Sequence, residues 1–130
     1  GVNTSHGRLY SISEDGGKTF SRLQFRTDLP FTACDAGLIA IPRKGQKQAL
    51  LMSFPDNLKE RSNMTVAVSL DDGESWSHKK SVYAGGACYS DLTLLHDGSI
   101  GLLYGKDRTS SAFPDHVVFD RFNFAWLYSE

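Results

Sequence analysis

An eight-residue pattern occurs twice in this 130-residue chain and constrains its fold more than any other feature. Residues 13–20 (the first Asp turn) and residues 69–76 (the second Asp turn) both read Ser-x-Asp-x-Gly-x-x-aromatic, at an offset of 56 residues. An Ala-Cys pair at 33–34 returns at 87–88, at an offset of 54. Two features that repeat at nearly one period predict successive copies of one supersecondary unit.

Apolar residues follow the two-residue period of β-strands, and helical periodicity is nearly absent. Short apolar runs between turn residues predict nine strands: 8–13, 20–25, 37–42, 49–54, 64–70, 76–83, 92–95, 100–104 and 116–127. Each repeat period holds about four of these strands, which is the content of one β-propeller blade. The sequence therefore predicts an all-β chain built from propeller blades.

Each Asp turn has a physical explanation that needs no catalytic role. The side chains of Asp15 and Asp71 are placed to accept hydrogen bonds from nearby backbone N–H groups and so fix a turn. A glycine two positions later supplies the backbone freedom that the turn needs. Phe20 and Trp76 begin the next strand and are expected to pack back under the turn. We therefore assign both aspartates to the fold.

Charge and composition exclude several classes of function. The chain has 14 Lys and Arg against 15 Asp and Glu, a formal charge of −1, which argues against a nucleic-acid partner bound by bulk electrostatics. No apolar run approaches the roughly 18 residues of a membrane span. Cys34, Cys88 and the four histidines lack the spacing of metal ligands, so the sequence predicts no metal and no cofactor.

Several segments together resemble the sialidase (neuraminidase) family. The two Asp turns look like the Asp-boxes of sialidases. Residues 88–93 (Cys-Tyr-Ser-Asp-Leu-Thr), with the strand at 100–104, resemble the segment that carries the sialidase nucleophile, a tyrosine. Residues 61–66, which lead into the second Asp turn, resemble the segment with the third arginine of the family's triad. Residues 119–127 are similar to the last strand of bacterial-type catalytic domains, so the resemblance is collinear over essentially the whole chain.

The resemblance implies a fold and a function. Residues 1–130 would be the C-terminal portion of a six-bladed propeller, about two to two and a half blades. The chain would be a fragment of an exo-sialidase that hydrolyses terminal sialic acids from glycoconjugates, inactive alone. Its partners would be sialylated glycans and the missing N-terminal part of the propeller. The resemblance favours a secreted, periplasmic or cell-surface location.

Two site residues follow from the resemblance. Tyr89 would be the nucleophile, since a neutral phenol, unlike a carboxylate, does not repel the carboxylate beside the anomeric carbon of sialic acid. Arg61 would bind that carboxylate, because a guanidinium stays ionised and forms paired hydrogen bonds. Taken alone, Tyr89 could also cap the core at a strand start, and Arg61 could be a solvated surface residue.

One departure from the family pattern supports another interpretation. The family's strand usually ends with a Glu that helps to hold an active-site arginine, whereas this chain has Gly105, with Asp107 two residues later as a substitute. The family's acid/base Asp, the Glu that activates the Tyr and the first two arginines would all lie upstream. The alternatives are a non-catalytic Asp-box propeller that binds glycan or protein, and a truncated product without independent function.

Overall fold

The computed structural model describes residues 7–30, 32–107 and 113–130. Its strands are β1 (Arg8–Tyr10), β2 (Gln24–Arg26), β3 (Gly37–Ile41), β4 (Ala49–Pro55), β5 (Ser62–Ser69), β6 (His78–Leu94), β7 (Ile100–Lys106) and β8 (His116–Phe122). One short 3-10 helix, Phe124–Tyr128, follows β8. The predicted all-β class is confirmed.

The strands form two sheets. β1 and β2 form a separate antiparallel pair, and β3 to β8 form one sheet in chain order with every neighbouring pair antiparallel. The first half of β6 pairs with β5, and its second half pairs with β7. The chain thus passes from a two-stranded to a four-stranded and then a three-stranded unit, and the last two units share β6.

The structure merges two of the predicted strands and shortens others. The strands predicted at 8–13 and 20–25 are β1 and β2, so Phe20 precedes its strand instead of beginning it. The strands predicted at 76–83 and 92–95 are one 17-residue strand, β6, because the Gly-Gly step at 85–86 stays extended instead of turning. The strand predicted at 116–127 ends at Phe122. The side chain of Asn123 then accepts a hydrogen bond from the Trp126 backbone N–H (2.8 Å) and caps the 3-10 helix. A local hydrogen bond therefore ends the strand before its apolar sequence does.

The side chains of β5 alternate between two separate hydrophobic cores. Met64, Val66 and Val68 are fully buried in the larger core, which spans both the four-stranded and the three-stranded units. Ala67, on the opposite face, packs in a smaller cluster with Trp76. Because successive side chains of a strand point to opposite faces, a strand buried on both faces can serve two cores.

Each Asp turn uses its carboxylate as the sequence predicts. Asp15 Oδ1 accepts from the Thr19 backbone N–H at 2.9 Å, and Asp15 Oδ2 accepts from the Thr19 hydroxyl at 2.6 Å. Asp71 makes the same two bonds with Ser75, at 2.9 and 2.5 Å. Hydrogen bonds to the charged form lower the pKa of each carboxyl from 3.8 to about 2. The two aspartates therefore have equivalent structural roles.

The serine that opens each Asp turn completes the pattern. Ser13 Oγ accepts from the Gly17 N–H at 2.7 Å, and Ser69 Oγ accepts from the Gly73 N–H at 2.9 Å. Gly17 and Gly73 have φ values of 90° and 89°, which are in the left-handed region that favours glycine. The repeated sequence thus encodes a repeated local structure.

A close backbone approach brings β3 against the second half of β6. A Cβ added to Gly37 would lie 2.8 Å from the Asp91 Cα and from the Leu92 backbone nitrogen. Beside this approach, Ser53 Oγ donates to Ser90 Oγ at 2.9 Å in a fully buried pair. Glycine is required here because no side chain fits between the strands. The segment that precedes β3 is thereby placed beside residue 89.

Candidate active site

Tyr89 lies at a β-bulge within β6. The β6–β7 register shifts between Cys88 and Ser90, so Tyr89 has no partner in the strand ladder. Its φ of 41° is in the left-handed region, which is uncommon for a residue with a side chain. Bulges redirect side chains and are common next to active sites. The Tyr89 side chain is 41% exposed, although both flanking residues are buried.

Arg61 immediately precedes β5 and contacts Tyr89. Its backbone carbonyl accepts from the Ala87 N–H at 2.9 Å, which ties it to β6. Its Nη1 donates to the Tyr89 Oη at 3.1 Å, and its Cζ lies 5.1 Å from the centroid of the Tyr89 ring. The two residues named from the sequence, 28 positions apart, are therefore direct neighbours.

The segment before β3 contacts both of these residues. Arg61 Nη2 donates to the Ala33 carbonyl at 2.5 Å. The Tyr89 backbone N–H donates to the Cys34 sulfur at 2.9 Å. The sequence shows the Ala-Cys repeat but predicts no contact for it, because such contacts depend on how the strands pack.

The charge of Arg61 is available to an anion. The ion pairs found within residues 7–30, 32–107 and 113–130 do not include Arg61. Its hydrogen bond to Tyr89 raises the pKa of the guanidinium above its ordinary value. Described groups occupy two of its five N–H donors, and the other three have no partner among residues 7–30, 32–107 and 113–130. The arrangement is suited to a carboxylate next to the Tyr89 hydroxyl.

An open cavity lies beside Tyr89. Its lining residues are Asp35, Tyr89, Ser90, Asp91, Leu103, Tyr104, Gly105, Pro114 and Val117. β6 and β7 contribute most of the lining, which also includes two carboxylates, Asp35 and Asp91. Burial raises the pKa of Tyr104, whose hydroxyl donates to Asp120 at 3.1 Å. Tyr104 is thereby kept as a neutral donor within the sheet.

The residues around Gly105 leave no room for the side chain of the Glu that the family pattern has at this position. A Cβ at Gly105 would lie 2.7 Å from the Pro114 Cγ and 3.0 Å from the Cys88 carbonyl oxygen. Real Cβ atoms do not approach a ring carbon so closely, so either the proline or the strand would have to move. Pro114 therefore occupies the space that a residue 105 side chain would need.

Asp107, two residues after Gly105, contacts Tyr83 and Gly86. Its carboxylate accepts a hydrogen bond from the Tyr83 hydroxyl, and its backbone N–H donates to the Gly86 carbonyl at 2.7 Å. Asp107 is not among the hydrogen-bond or ion-pair partners found for Arg61. Its backbone is left-handed (φ 57°). The hypothesis that Asp107 helps to hold an active-site arginine stays a prediction, because two of the family's three arginines are expected upstream.

A metal-binding cluster and a membrane-spanning helix are both absent from the described part of the chain. No group of three or more His, Cys, Asp or Glu side chains there is arranged to hold a metal ion. No helix there has the length and apolarity needed to cross a membrane.

Comparison with known proteins gives the family. No family model matches the chain. It is 33% identical over 125 residues to a sialidase of Micromonospora viridifaciens, covering 92% of this chain and 18% of that protein. It is 35% identical over 118 residues to a sialidase of Bacteroides fragilis, covering 85% of this chain and 22% of that protein. The chain belongs to the sialidase family.

Solved sialidase structures share the fold. The intramolecular trans-sialidase from Ruminococcus gnavus, solved in complex with oseltamivir carboxylate, matches with a TM-score of 0.73 and 29% identity, covering 98% of this chain and 30% of that one. The Hadza microbial sialidase Hz136 matches with a TM-score of 0.76 and 28% identity, covering 95% and 24%. These neighbours are β-propellers, which confirms the predicted partial propeller. This sialidase-family chain spans about a fifth of the length of the curated relatives it matches.

Proposed function

We propose that this chain supplies the nucleophile and one carboxylate-binding arginine of an exo-sialidase that hydrolyses terminal sialic acids from glycoconjugates. In this proposal residues 1–130 are the C-terminal portion of the propeller domain, and the remaining catalytic groups come from sequence upstream. The observation that carries the proposal is the 3.1 Å contact between Arg61 Nη1 and Tyr89 Oη.

The contact matches the chemistry of the substrate. In a sialic acid the carboxylate is bonded directly to the anomeric carbon, so the group that binds the carboxylate must adjoin the nucleophile. Arg61 has N–H donors for the carboxylate that no described residue occupies, and Tyr89, which is 41% exposed, has the hydroxyl for the anomeric carbon. A fork of charged donors holds a planar anion in a defined orientation. Arg61 would therefore bind and orient the substrate at the oxygen that attacks it.

The reaction follows the scheme of retaining glycosidases with a Tyr nucleophile. The Tyr89 oxygen forms a bond to the anomeric carbon as the glycosidic bond breaks. The phenol loses its proton to a base, and an acid protonates the leaving oxygen. Water then cleaves the tyrosyl–sugar bond, and the configuration is retained. Arg61 also stabilises the negative charge that develops on the Tyr89 oxygen. The acid and the base are the groups assigned to the upstream sequence.

A second candidate function is a non-catalytic propeller that binds glycan or protein. The observation in its favour is that Pro114 fills the space beside Gly105, where the family pattern has the Glu that helps to hold an active-site arginine. The open reading frame that carries this chain separates the two candidates. An upstream Asp, Glu and two arginines at family positions support the enzyme, and their absence would exclude it.

The kinetic test uses the full-length protein and a fluorogenic sialoside. We expect Tyr89→Phe to lower kcat on the order of 10³-fold or more, because only the attacking oxygen is lost. We expect Arg61→Lys to lower kcat/KM by about 100-fold, because a lysine cannot form the paired contact. Tyr10→Phe is the matched control, since its hydroxyl bonds to Gln24 in the separate β1–β2 pair.

The outcomes separate the candidates. Turnover that is lost in Tyr89→Phe and kept in Tyr10→Phe supports the enzyme. Equal turnover in the wild type and Tyr89→Phe refutes Tyr89 as the nucleophile. A wild type that binds sialosides without cleaving them, with binding lost in Arg61→Lys, supports the second candidate.

A further inference from the structure

We propose that the Ala33–Cys34 dipeptide is a positioning element, which holds Tyr89 and Arg61 in mutual contact through one hydrogen-bond acceptor for each. The effect on turnover rests on the proposed function, whereas the effect on geometry does not. Neither residue is assigned a contact with substrate, so neither is a catalytic residue.

Cys34 holds the backbone of Tyr89. Its sulfur is the acceptor for the Tyr89 N–H, at 2.9 Å, and its side chain is only 3% exposed. The bulge leaves that N–H without a partner in the strand ladder, and a buried backbone donor needs an acceptor. The sulfur therefore satisfies the donor that the bulge sets free. It also stabilises the left-handed backbone that exposes the phenol.

Ala33 holds the side chain of Arg61. Its carbonyl accepts from Arg61 Nη2 at 2.5 Å, and its own φ is 48°. A left-handed alanine is strained, and such residues persist only where the surrounding structure imposes them. Tyr89, on the other side of Arg61, is left-handed as well. Each of the three contacts that hold Arg61 and Tyr89 thus involves a left-handed residue, either Ala33 or Tyr89.

The use of a backbone carbonyl to hold Arg61 has a functional consequence. A carboxylate partner would orient Arg61 but would also cancel part of its charge before the substrate arrives. A carbonyl orients the guanidinium through a hydrogen bond and leaves its full positive charge for an anionic ligand. Ala33 therefore orients Arg61 without reducing the charge that attracts an anionic ligand.

The test compares three variants of the full-length protein. Cys34→Ala removes the acceptor, Cys34→Ser restores one, and Val68→Ala removes buried volume from the core of the four-stranded unit. We expect Cys34→Ala to lower kcat on the order of 10- to 100-fold with a smaller change in KM, because the nucleophile is misplaced while Arg61 stays bound to Ala33. We expect Cys34→Ser to recover most of the loss and Val68→Ala to keep kcat.

The outcomes are distinguishable from failure of the proposed function. If Cys34→Ala keeps kcat while Tyr89→Phe abolishes it, the positioning role is refuted and the nucleophile stands. If the wild type has no turnover, a crystal structure of Cys34→Ala decides. Loss of the Tyr89–Arg61 hydrogen bond, or of the left-handed backbone at Tyr89, supports the inference. Unchanged geometry at both residues overturns it.

Discussion

The two Asp turns have the same hydrogen bonds but very different surroundings. In both, a serine oxygen accepts from a glycine N–H and a carboxylate accepts from the residue four positions later. The aromatic residue that follows differs, since Phe20 is 64% exposed and Trp76 is 8% exposed. Eight residues are thus enough to encode the turn, whereas the strands around it determine whether its aromatic side chain is buried.

The strands explain the difference. The first Asp turn connects β1 and β2, which are three residues long each and form a sheet of their own. The second connects β5 and β6 inside the six-stranded sheet. Trp76 packs with Leu29, Phe54 and Ala67, and the first turn has no comparable cluster among the described residues. The second turn is therefore coupled to the core, and the first is coupled only to its own hairpin.

The largest expected difference is in the aromatic residues. We expect Trp76→Ala to lower the free energy of unfolding by about 3–5 kcal/mol, because it removes a large buried side chain. We expect Phe20→Ala to change it by no more than about 0.5 kcal/mol in this chain, because the side chain is exposed. Urea unfolding of the two variants measures both values. Equal losses would show that the first turn is covered to the same degree as the second.

On acidification we expect a smaller difference between the two Asp turns. Each carboxyl has a folded pKa of about 2 against an ordinary 3.8. A lowered folded pKa means that the stabilisation is present above pH 3.8 and is lost as the pH falls toward 2. We expect Asp15 and Asp71 to titrate together, while only the second turn changes the fluorescence of Trp76. Carboxyl chemical shifts and fluorescence between pH 5 and pH 2 follow both events, and an ordinary pKa for either aspartate would contradict the shared pattern.

The sequence predicted the turns and most strands because local chemistry determines them. Asp15 and Asp71 fix their turns through hydrogen bonds within eight residues. The short apolar runs determine where the strands form. The continuity of β6 was not predictable, because it depends on pairing with β5 on one side of residues 85–86 and with β7 on the other. In the sequence alone, the Gly-Gly step at 85–86 predicts a break between two strands.

The site was predictable only in part. Family resemblance named Tyr89 and Arg61, but their contact depends on a bulge in β6 and on the close approach at Gly37. The Ala33–Cys34 pair was visible in the sequence as a repeat. Its contacts depend on the left-handed backbone of Ala33 and Tyr89, which their residue types do not predict. The contact of Asp107 with Tyr83 likewise occurs at a left-handed residue (φ 57°). Contacts set by unusual backbone angles are not encoded in residue spacing.

The most direct test is to identify the residue that bonds to the substrate. The full-length protein would be incubated with a fluorinated sialic acid that slows breakdown of the covalent intermediate, then digested and analysed by mass spectrometry. We predict one sialyl adduct on the peptide that contains Tyr89, absent from Tyr89→Phe and present in Tyr10→Phe. An adduct on any other residue would contradict the proposed role of Tyr89.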